Sequence, residues 1–283
     1  MIHTYKESIS GAFFGLTSDY IHDVTYFKQY SGLINIHWNR CVHSIWFRLD
    51  GALMELKPGQ MTTTTYLNRM EFESDSSMLT TFSFNREFYC IIDHDHEVSC
   101  NGILFFGNNT PPVISLDERE QARFDLEFGM FEEEYKTRDR VQGEMLRTLL
   151  KRLIIRATRL AKVQLWPEGI PDDQTDLIRK YNVLVDTHYR DKHLVADYAD
   201  LLFKSPKTLT NMFKKYDQPS PLQIIQNRIV LEAKRLLMYT DKTAKEIALE
   251  LGFTDAGTFH RSFKKVTNAT PQEFKKSFEL EKV

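Results

Sequence analysis

The chain has 283 residues, 37 Lys and Arg against 39 Asp and Glu, and a formal charge of -2. With 42% hydrophobic residues it can bury a core in each of about two domains, which excludes a mainly disordered state. No apolar run reaches the roughly 18 residues that span a bilayer, so no membrane partner is expected.

No basic stretch followed by an apolar one opens the chain, and no signal peptide is expected. Cys41, Cys90 and Cys100 lack metal-site spacing and fit the reduced thiols of a cytoplasmic protein. The charge is uneven: residues 1–171 carry a net -5 and residues 172–283 a net +3. A mildly basic tail points weakly to a polyanion.

Residues 1–116 read as strands. Ile45–Leu49 and Ala52–Leu56 flank Asp50-Gly51, a hairpin signal. Thr62–Tyr66, Leu79–Phe84, Phe88–Ile92 and Gly102–Gly107 continue the β-rich composition. Many short strands with turn signals predict a sandwich or barrel.

From Asp117 the period changes to helix, first over Asp117–Lys136 and then over Val141–Val163. The second helix carries Leu146, Leu149, Leu150, Leu153, Ala157, Leu160 and Val163 on one stripe. Such a stripe packs either on its own chain or against a second copy. Leu146, Leu149, Leu153 and Leu160 are the candidate dimer contacts. Trp166–Asp173, with Pro167, Gly169 and Pro171, reads as a linker.

After residue 173 the chain is helical and repeats itself. Leu201, Phe203, Thr208, Leu209, Phe213, Lys214, Lys215 and Pro221 recur 50 residues later as Leu251, Phe253, Thr258, Phe259, Phe263, Lys264, Lys265 and Pro271. Ala199 aligns at 49 with Ala248, so the second copy has one extra residue at its turn. Each copy reads as helix, tight turn, helix. Thr243 to Glu246 is a capping box, Gly252 ends that helix, and Ser205-Pro206 opens the second helix of the first copy.

The faces opposite the buried stripes carry the chemistry. Lys207, Thr210, Asn211 and Lys214 line up in the first copy; Gly257, His260, Arg261 and Lys264 match them in the second. Short helices with polar tips and terminal lysines suit the major groove. Arg pairs with guanine and Asn with adenine, each worth roughly 1–3 kcal/mol of discrimination. Lys214, Lys215, Lys264 and Lys265 suit phosphate, which adds affinity without sequence information. Ser220-Pro221 opens a helix to Met238, with Leu222, Ile225, Ile229, Ala233 and Leu236 along one side. Its length of about 27 Å is of the order of a DNA turn, and it could hold two reading heads in successive grooves.

These residues resemble the AraC/XylS family of bacterial transcription regulators. The pattern runs Ala199, Ser205, Leu209, Phe213-Lys214, Arg228, Ala233, Leu236-Leu237, Ile247-Ala248, Leu251-Gly252-Phe253, Phe259, Arg261, Phe263-Lys264, Pro271, Phe274. The resemblance implies two helix-turn-helix motifs joined by a long helix and binding adjacent major grooves. It places base contacts at Lys207, Thr210 and Asn211, and at Gly257, Thr258 and Arg261. Three features depart from the pattern: Asn211 replaces a frequent Arg, Gly257 has no side chain, and Thr267-Asn268-Ala269 replaces a glycine-containing turn. The first 165 residues resemble the family's regulatory half, a cupin-like β-barrel followed by dimerising helices.

The fold class expected is α+β: a cupin-like β-rich regulatory domain (1–116), a helical dimerisation segment (117–165), a linker (166–173) and an all-α DNA-binding domain (174–283). The function expected is a dimeric, cytoplasmic, sequence-specific regulator of transcription without enzymatic activity or cofactor. Double-stranded DNA is the main partner; RNA polymerase and a small-molecule effector are further ones. Two alternatives stay open. A cupin-like metalloenzyme fused to a DNA-binding module would use His94 and His96, which share a side if on a strand, although Glu97 is immediately adjacent and points to the other face, and a polar hairpin loop is expected over Asp93–Glu97. A sequence-indifferent architectural protein would use the same basic faces. Cys90 and Cys100 read either as core thiols or as a redox pair across a hairpin. Phe13, Phe14, Trp38, Trp46, Phe47, Phe82, Phe84, Tyr89 and Phe105 read either as core or as pocket lining.

Overall fold

A computed structural model describes residues 2–72, 78–100, 102–106, 111–165 and 171–281, without the side chains of His96, Asp172 and residues 277–281. The chain forms two units, Met1–Trp166 and Pro167–Val283. The first contains β1 (Ile2–Lys6), β2 (Phe13–Thr17), α1 (Tyr20–Phe27), β3 (Ile34–Trp38), β4 (Ile45–Leu49), β5 (Ala52–Leu56), β6 (Gln60–Thr64), β7 (Met70–Phe72), β8 (Thr80–Phe84), α2 (Asp95–Val98), β9 (Val113–Ser115), α3 (Glu118–Glu134) and α4 (Gln142–Leu165). An antiparallel sheet runs β1-β2-β8-β3-β6-β9 and a second runs β5-β4-β7. The β4–β5 hairpin pairs Leu49 with Ala52 across Asp50-Gly51, as its sequence predicts.

Strand alternation splits the larger sheet into two faces. Phe14, Leu16, Ile36, Trp38, Phe82 and Phe84 form one core with Phe124, Phe128 and Phe131 of α3 and with α4. Phe13 joins Ile45, Phe47, Leu49 and Leu56 of the smaller sheet, with Tyr20, Ile21 and Phe27 of α1, in a second core. The aromatics named above are therefore core, except Trp46, which is exposed. A buried polar row occupies the alternate positions. Asn35 Nδ2 donates to Thr64 Oγ1 at 3.1 Å, Ser83 Oγ donates to Asn35 Oδ1 at 2.7 Å, and the His37 ring lies 2.8 Å from Thr81 Oγ1 and 2.9 Å from Thr64 Oγ1. Burial pushes the His37 imidazole down to about 3, so it stays uncharged at neutral pH.

Three expectations are corrected here. Phe88–Ile92 and Ile103–Phe105 are not strands: they turn, and Phe88, Tyr89, Ile91, Ile103, Leu104 and Phe105 are buried in the first core. The Asn85 carboxamide oxygen sets the first turn by accepting from both Phe13 N–H (2.8 Å) and Phe88 N–H (3.1 Å). Apolarity signals burial, and nothing in it demands a ladder. Gly107 lies outside the described residues. The hairpin across Cys90 and Cys100 is therefore absent, and Cys100 is buried in the core. His94 is not on a strand but precedes helix α2, with its ring stacked on Tyr89 at 5.0 Å and its Nδ1 3.6 Å from Glu97 Oε1. The strand geometry of the metalloenzyme alternative is missing, and the His96 side chain lies outside the described residues. Among the described residues no group of three or more His, Cys, Asp or Glu is placed to hold a metal ion.

The leucine stripe is corrected in part. Leu146 and Leu153 are fully buried within their own unit, so they cannot touch a partner. Leu149 and Leu160 are half-buried against the same core. The stripe buries Leu150, Ile154, Ala157 and Ala161 as well, while Val163 is exposed. The exposed side of the helical hairpin carries Leu126, Met130 and Met145. Arg152 Nε and Arg156 Nη1 each donate to Glu127 Oε1 at 3.0 Å and tie α4 to α3.

The second unit contains α5 (Asp172–His188), α6 (Val195–Leu201), α7 (Pro206–Lys215), α8 (Pro221–Tyr239), α9 (Ala244–Glu250), α10 (Ala256–Thr267) and α11 (Pro271–Glu281). Residues 171–173, expected as linker, form the start of α5; residues 166–170 lie outside the described residues. Helix α8 is central and meets α5, α6, α7, α9, α10 and α11. It is therefore buried on several sides, at Ile224, Arg228, Val230 and Leu237 as well as Ile225, Ile229 and Ala233. Leu222, expected in the stripe, is exposed near its N-terminus. No described helix is long and apolar enough to cross a membrane.

Candidate nucleic-acid interface

Two short helix pairs, α6–α7 and α9–α10, carry the residues singled out above. In each, a side-chain cap aims the second helix. Ser205 Oγ accepts from Thr208 N–H at 3.0 Å, and Pro206 follows it at the first helical position. Asp255 Oδ1 accepts from Thr258 N–H at 2.8 Å. Thr243 and Glu246 close the predicted capping box ahead of α9. Asn268 ends α10 at a left-handed φ of 61° and donates its N–H to Lys264 O at 2.8 Å. Asparagine tolerates that conformation, so the turn needs no glycine.

Below these helices the apolar stripes are buried as their spacing predicts: Leu209, Met212, Phe213 and Tyr216 in one pair, Phe259 and Phe263 in the other. Above them Lys207, Thr210, Asn211, Lys214 and Lys215 are exposed, as are Gly257, Thr258, Arg261, Lys264 and Lys265. His260 is half-buried, its ring 5.9 Å from that of Phe259, and so presents less of itself than its position implies. Thr210 Oγ1 donates to Pro206 O at 2.9 Å, which spends its proton within the helix.

Arg261 is held in place. Its Nη2 donates to Thr258 Oγ1 at 3.0 Å, and Thr258 Oγ1 donates to Asp255 Oδ2 at 2.6 Å. The hydrogen bond from the Thr258 hydroxyl, aided by the Thr258 N–H, holds the Asp255 carboxyl below the usual carboxylate range. Gly257 fits this chain: a Cβ there would stand 3.0 Å from Asp255 Oδ1. Its missing side chain leaves room for the groups that orient Arg261. Asp255 was not singled out from the sequence, although the spacing Asp255, Thr258, Arg261 shows the relation.

The repeat register changes at the turn. Phe203 N–H donates to Asp200 O and Lys204 N–H to Ala199 O; in the second pair Gly252 N–H donates to Leu249 O and Phe253 N–H to Ala248 O. Phe203 thus matches Gly252, and Lys204 matches Phe253. The 50-residue equivalences of Leu201 and Phe203 fail: Leu251 and Phe253 are buried, Leu201 and Phe203 are exposed. The shift of 49 holds up to the turn, where the extra residue lies.

A buried ionic cluster joins the helices that carry these pairs. Arg228 of α8 donates from Nε to Asp186 Oδ1 at 2.5 Å and from Nη1 to Glu232 Oε2 at 3.2 Å, and its guanidinium lies 3.9 Å from the centre of the Tyr189 ring. Arg190 reaches Glu232 at 3.6 Å and Glu250 of α9 at 3.9 Å. Burial alone would push the Glu232 carboxyl up, but the charges of Arg228 and Arg235 hold it below its usual range. Gly252 closes the same junction. With φ at 77° it passes so near the α5–α6 connection that a Cβ would stand 1.8 Å from Arg190 O.

Residues 198–277 match the family model described as a helix-turn-helix domain. Over 115 residues the chain is 32% identical to the bifunctional transcriptional activator/DNA repair enzyme AdaA of Bacillus subtilis, covering 40% of this chain and 53% of that one. Over 160 residues it is 29% identical to the arabinose operon regulatory protein of Escherichia coli, covering 56% and 53%. The chain spans about half the length of the curated relatives it matches. Among solved structures, the C-terminal domain of the two-component response regulator yesN of Fusobacterium nucleatum is 26% identical, with a TM-score of 0.33 over 37% of this chain and 99% of that one.

Proposed function

The chain belongs, through its C-terminal unit, to the AraC/XylS family of transcription regulators, and from that premise we propose that it binds double-stranded DNA sequence-specifically and regulates transcription. The observation that carries this reading is the pair of capped helices with polar, lysine-bearing outer faces over buried apolar stripes. In the reading, α6–α7 and α9–α10 are two helix-turn-helix motifs that enter adjacent major grooves. Lys207, Thr210, Asn211, Thr258, His260 and Arg261 meet base edges, and Gly257 lets the backbone approach. Lys214, Lys215, Lys264 and Lys265 meet phosphate.

The N-terminal unit is read as a cupin-like sensor. Its support is the polar row between the sheets, where the Thr62 hydroxyl is buried with no hydrogen-bond partner among the described residues. A small molecule is its effector and RNA polymerase the machine it acts on, in the cytoplasm. The protein is a homodimer and not an enzyme. Its self-association uses the outer side of α3 and α4, where Leu126, Met130 and Met145 are exposed, rather than Leu146 and Leu153.

Selection of binding sites from random duplexes tests the reading. A selected duplex is expected to bind at least about 10³-fold tighter than a random one. Equal affinities would make the protein an architectural binder instead. On the selected duplex Arg261→Ala is expected to cost about 1–3 kcal/mol and to relax preference at one base pair. A uniform loss on all duplexes would move Arg261 to phosphate.

A further inference from the structure

We propose that Phe203 is a DNA-contacting anchor whose ring packs on the sugar–phosphate wall of the groove entered by α7. The proposal rests on the DNA-binding reading above and adds a contact which that reading does not assign. Phe203 sits in the α6–α7 turn at a φ of 53°, in the left-handed region that bulky residues rarely adopt. It is 94% exposed, so little packing offsets its strain. The matching turn of the second pair uses Gly252, the residue that suits this conformation. The first turn keeps an aromatic where glycine would serve the fold better. Strained residues that the fold does not need gather at functional sites.

The position indicates the occupant. Phe203 precedes the α7 cap Ser205 by two residues, and the N-terminal end of a recognition helix is the part that enters the groove. Lys204 and Lys207 follow it within four residues and are exposed, a charge that suits phosphate. Between phosphates a strand of the duplex presents apolar sugar faces, on which an aromatic ring can pack by close contact. A strongly exposed ring followed by two exposed lysines at the start of a reading helix therefore fits a DNA strand.

The test uses the full chain, its selected duplex and a random duplex, with Phe203→Gly and Phe203→Tyr. Phe203→Gly is expected to raise the thermal midpoint of the C-terminal unit by about 4 °C, because a strained residue is replaced by one at ease there. The same variant is expected to weaken binding to both duplexes about 5- to 50-fold, as the loss of a partly buried aromatic side chain would. Its dependence on salt should match the wild type, since an uncharged ring displaces no counterion. Phe203→Tyr should keep the affinity. Opposite movements of stability and affinity separate a contact from a merely structural role. If Phe203→Gly binds like the wild type, the proposal is overturned and the DNA-binding reading stands. A variant that loses both stability and affinity overturns it too. A wild type that prefers no selected duplex overturns the sequence-specific reading instead.

Discussion

Leu153→Asp is expected to abolish folding of the N-terminal unit rather than to split a dimer. Leu153 is fully buried among Leu150, Ile154, Ala157 and the aromatic residues of α3. The change removes about 1.5–3 kcal/mol of apolar burial. It also places a carboxylate where no partner waits, at a cost of several kcal/mol more. A domain is stable by only about 5–15 kcal/mol, so the unit loses most or all of its margin. The expected readout is loss of its cooperative thermal transition and of its near-ultraviolet circular dichroism. Met145→Asp is the control. Met145 is exposed, so this variant should fold, and light scattering should then show a smaller particle if the outer side of α3 and α4 joins two copies. A Leu153→Asp chain that stays folded at half the wild-type mass would return Leu153 to the interface and refute its place in the core.

Arg228→Met has the second large effect, about 3–5 kcal/mol of destabilisation in the C-terminal unit. Methionine fills much of the space, but Asp186 and Glu232 lose the charge between them. What is left is a pair of acidic groups buried without their main partner. The effect depends on pH, and its sign follows from Glu232. In the wild type its carboxyl lies below the ordinary 4.5, so its contribution is present above that value and fades as pH falls through the folded value. In the variant, burial is no longer opposed by Arg228, and the carboxyl rises. Protonation then relieves the variant, and the stability gap to the wild type should narrow between about pH 7 and about pH 4. Urea midpoints at both ends of that range measure it. A gap that does not change with pH would mean that Arg228 contributes packing rather than charge.

Much of the candidate interface was legible in the sequence because its determinants lie within one turn of each other. Ser205 with Thr208, Thr243 with Glu246 and Asp255 with Thr258 are relations three residues apart, and all form. The faces holding Asn211 and Arg261 follow from the 3.6-residue period once Leu209, Phe213, Phe259 and Phe263 face inward. The support beneath them was less legible. Asp186, Arg228, Glu232 and Glu250 come from three helices, and no local pattern announces that they meet. The segments at Phe88–Ile92 and Ile103–Phe105 read as strands because they are apolar, yet they are turns whose buried side chains join the first core.

By itself the sequence determined where α7, α8 and α9 begin, which sides of the tail's short helices are apolar and that the tail holds a duplicated pair. Hydrogen-bonding caps and amphipathic spacing act over a few residues, so they are written locally. Only the tertiary structure decided what each apolar side meets. Leu146 and Leu153 were spent on their own unit, Leu222 was left outside, and Phe203 was turned out at the position that Gly252 takes in the second pair. Burial depends on the competition among all the surfaces of the chain for the same interior, and a single stretch does not record its outcome.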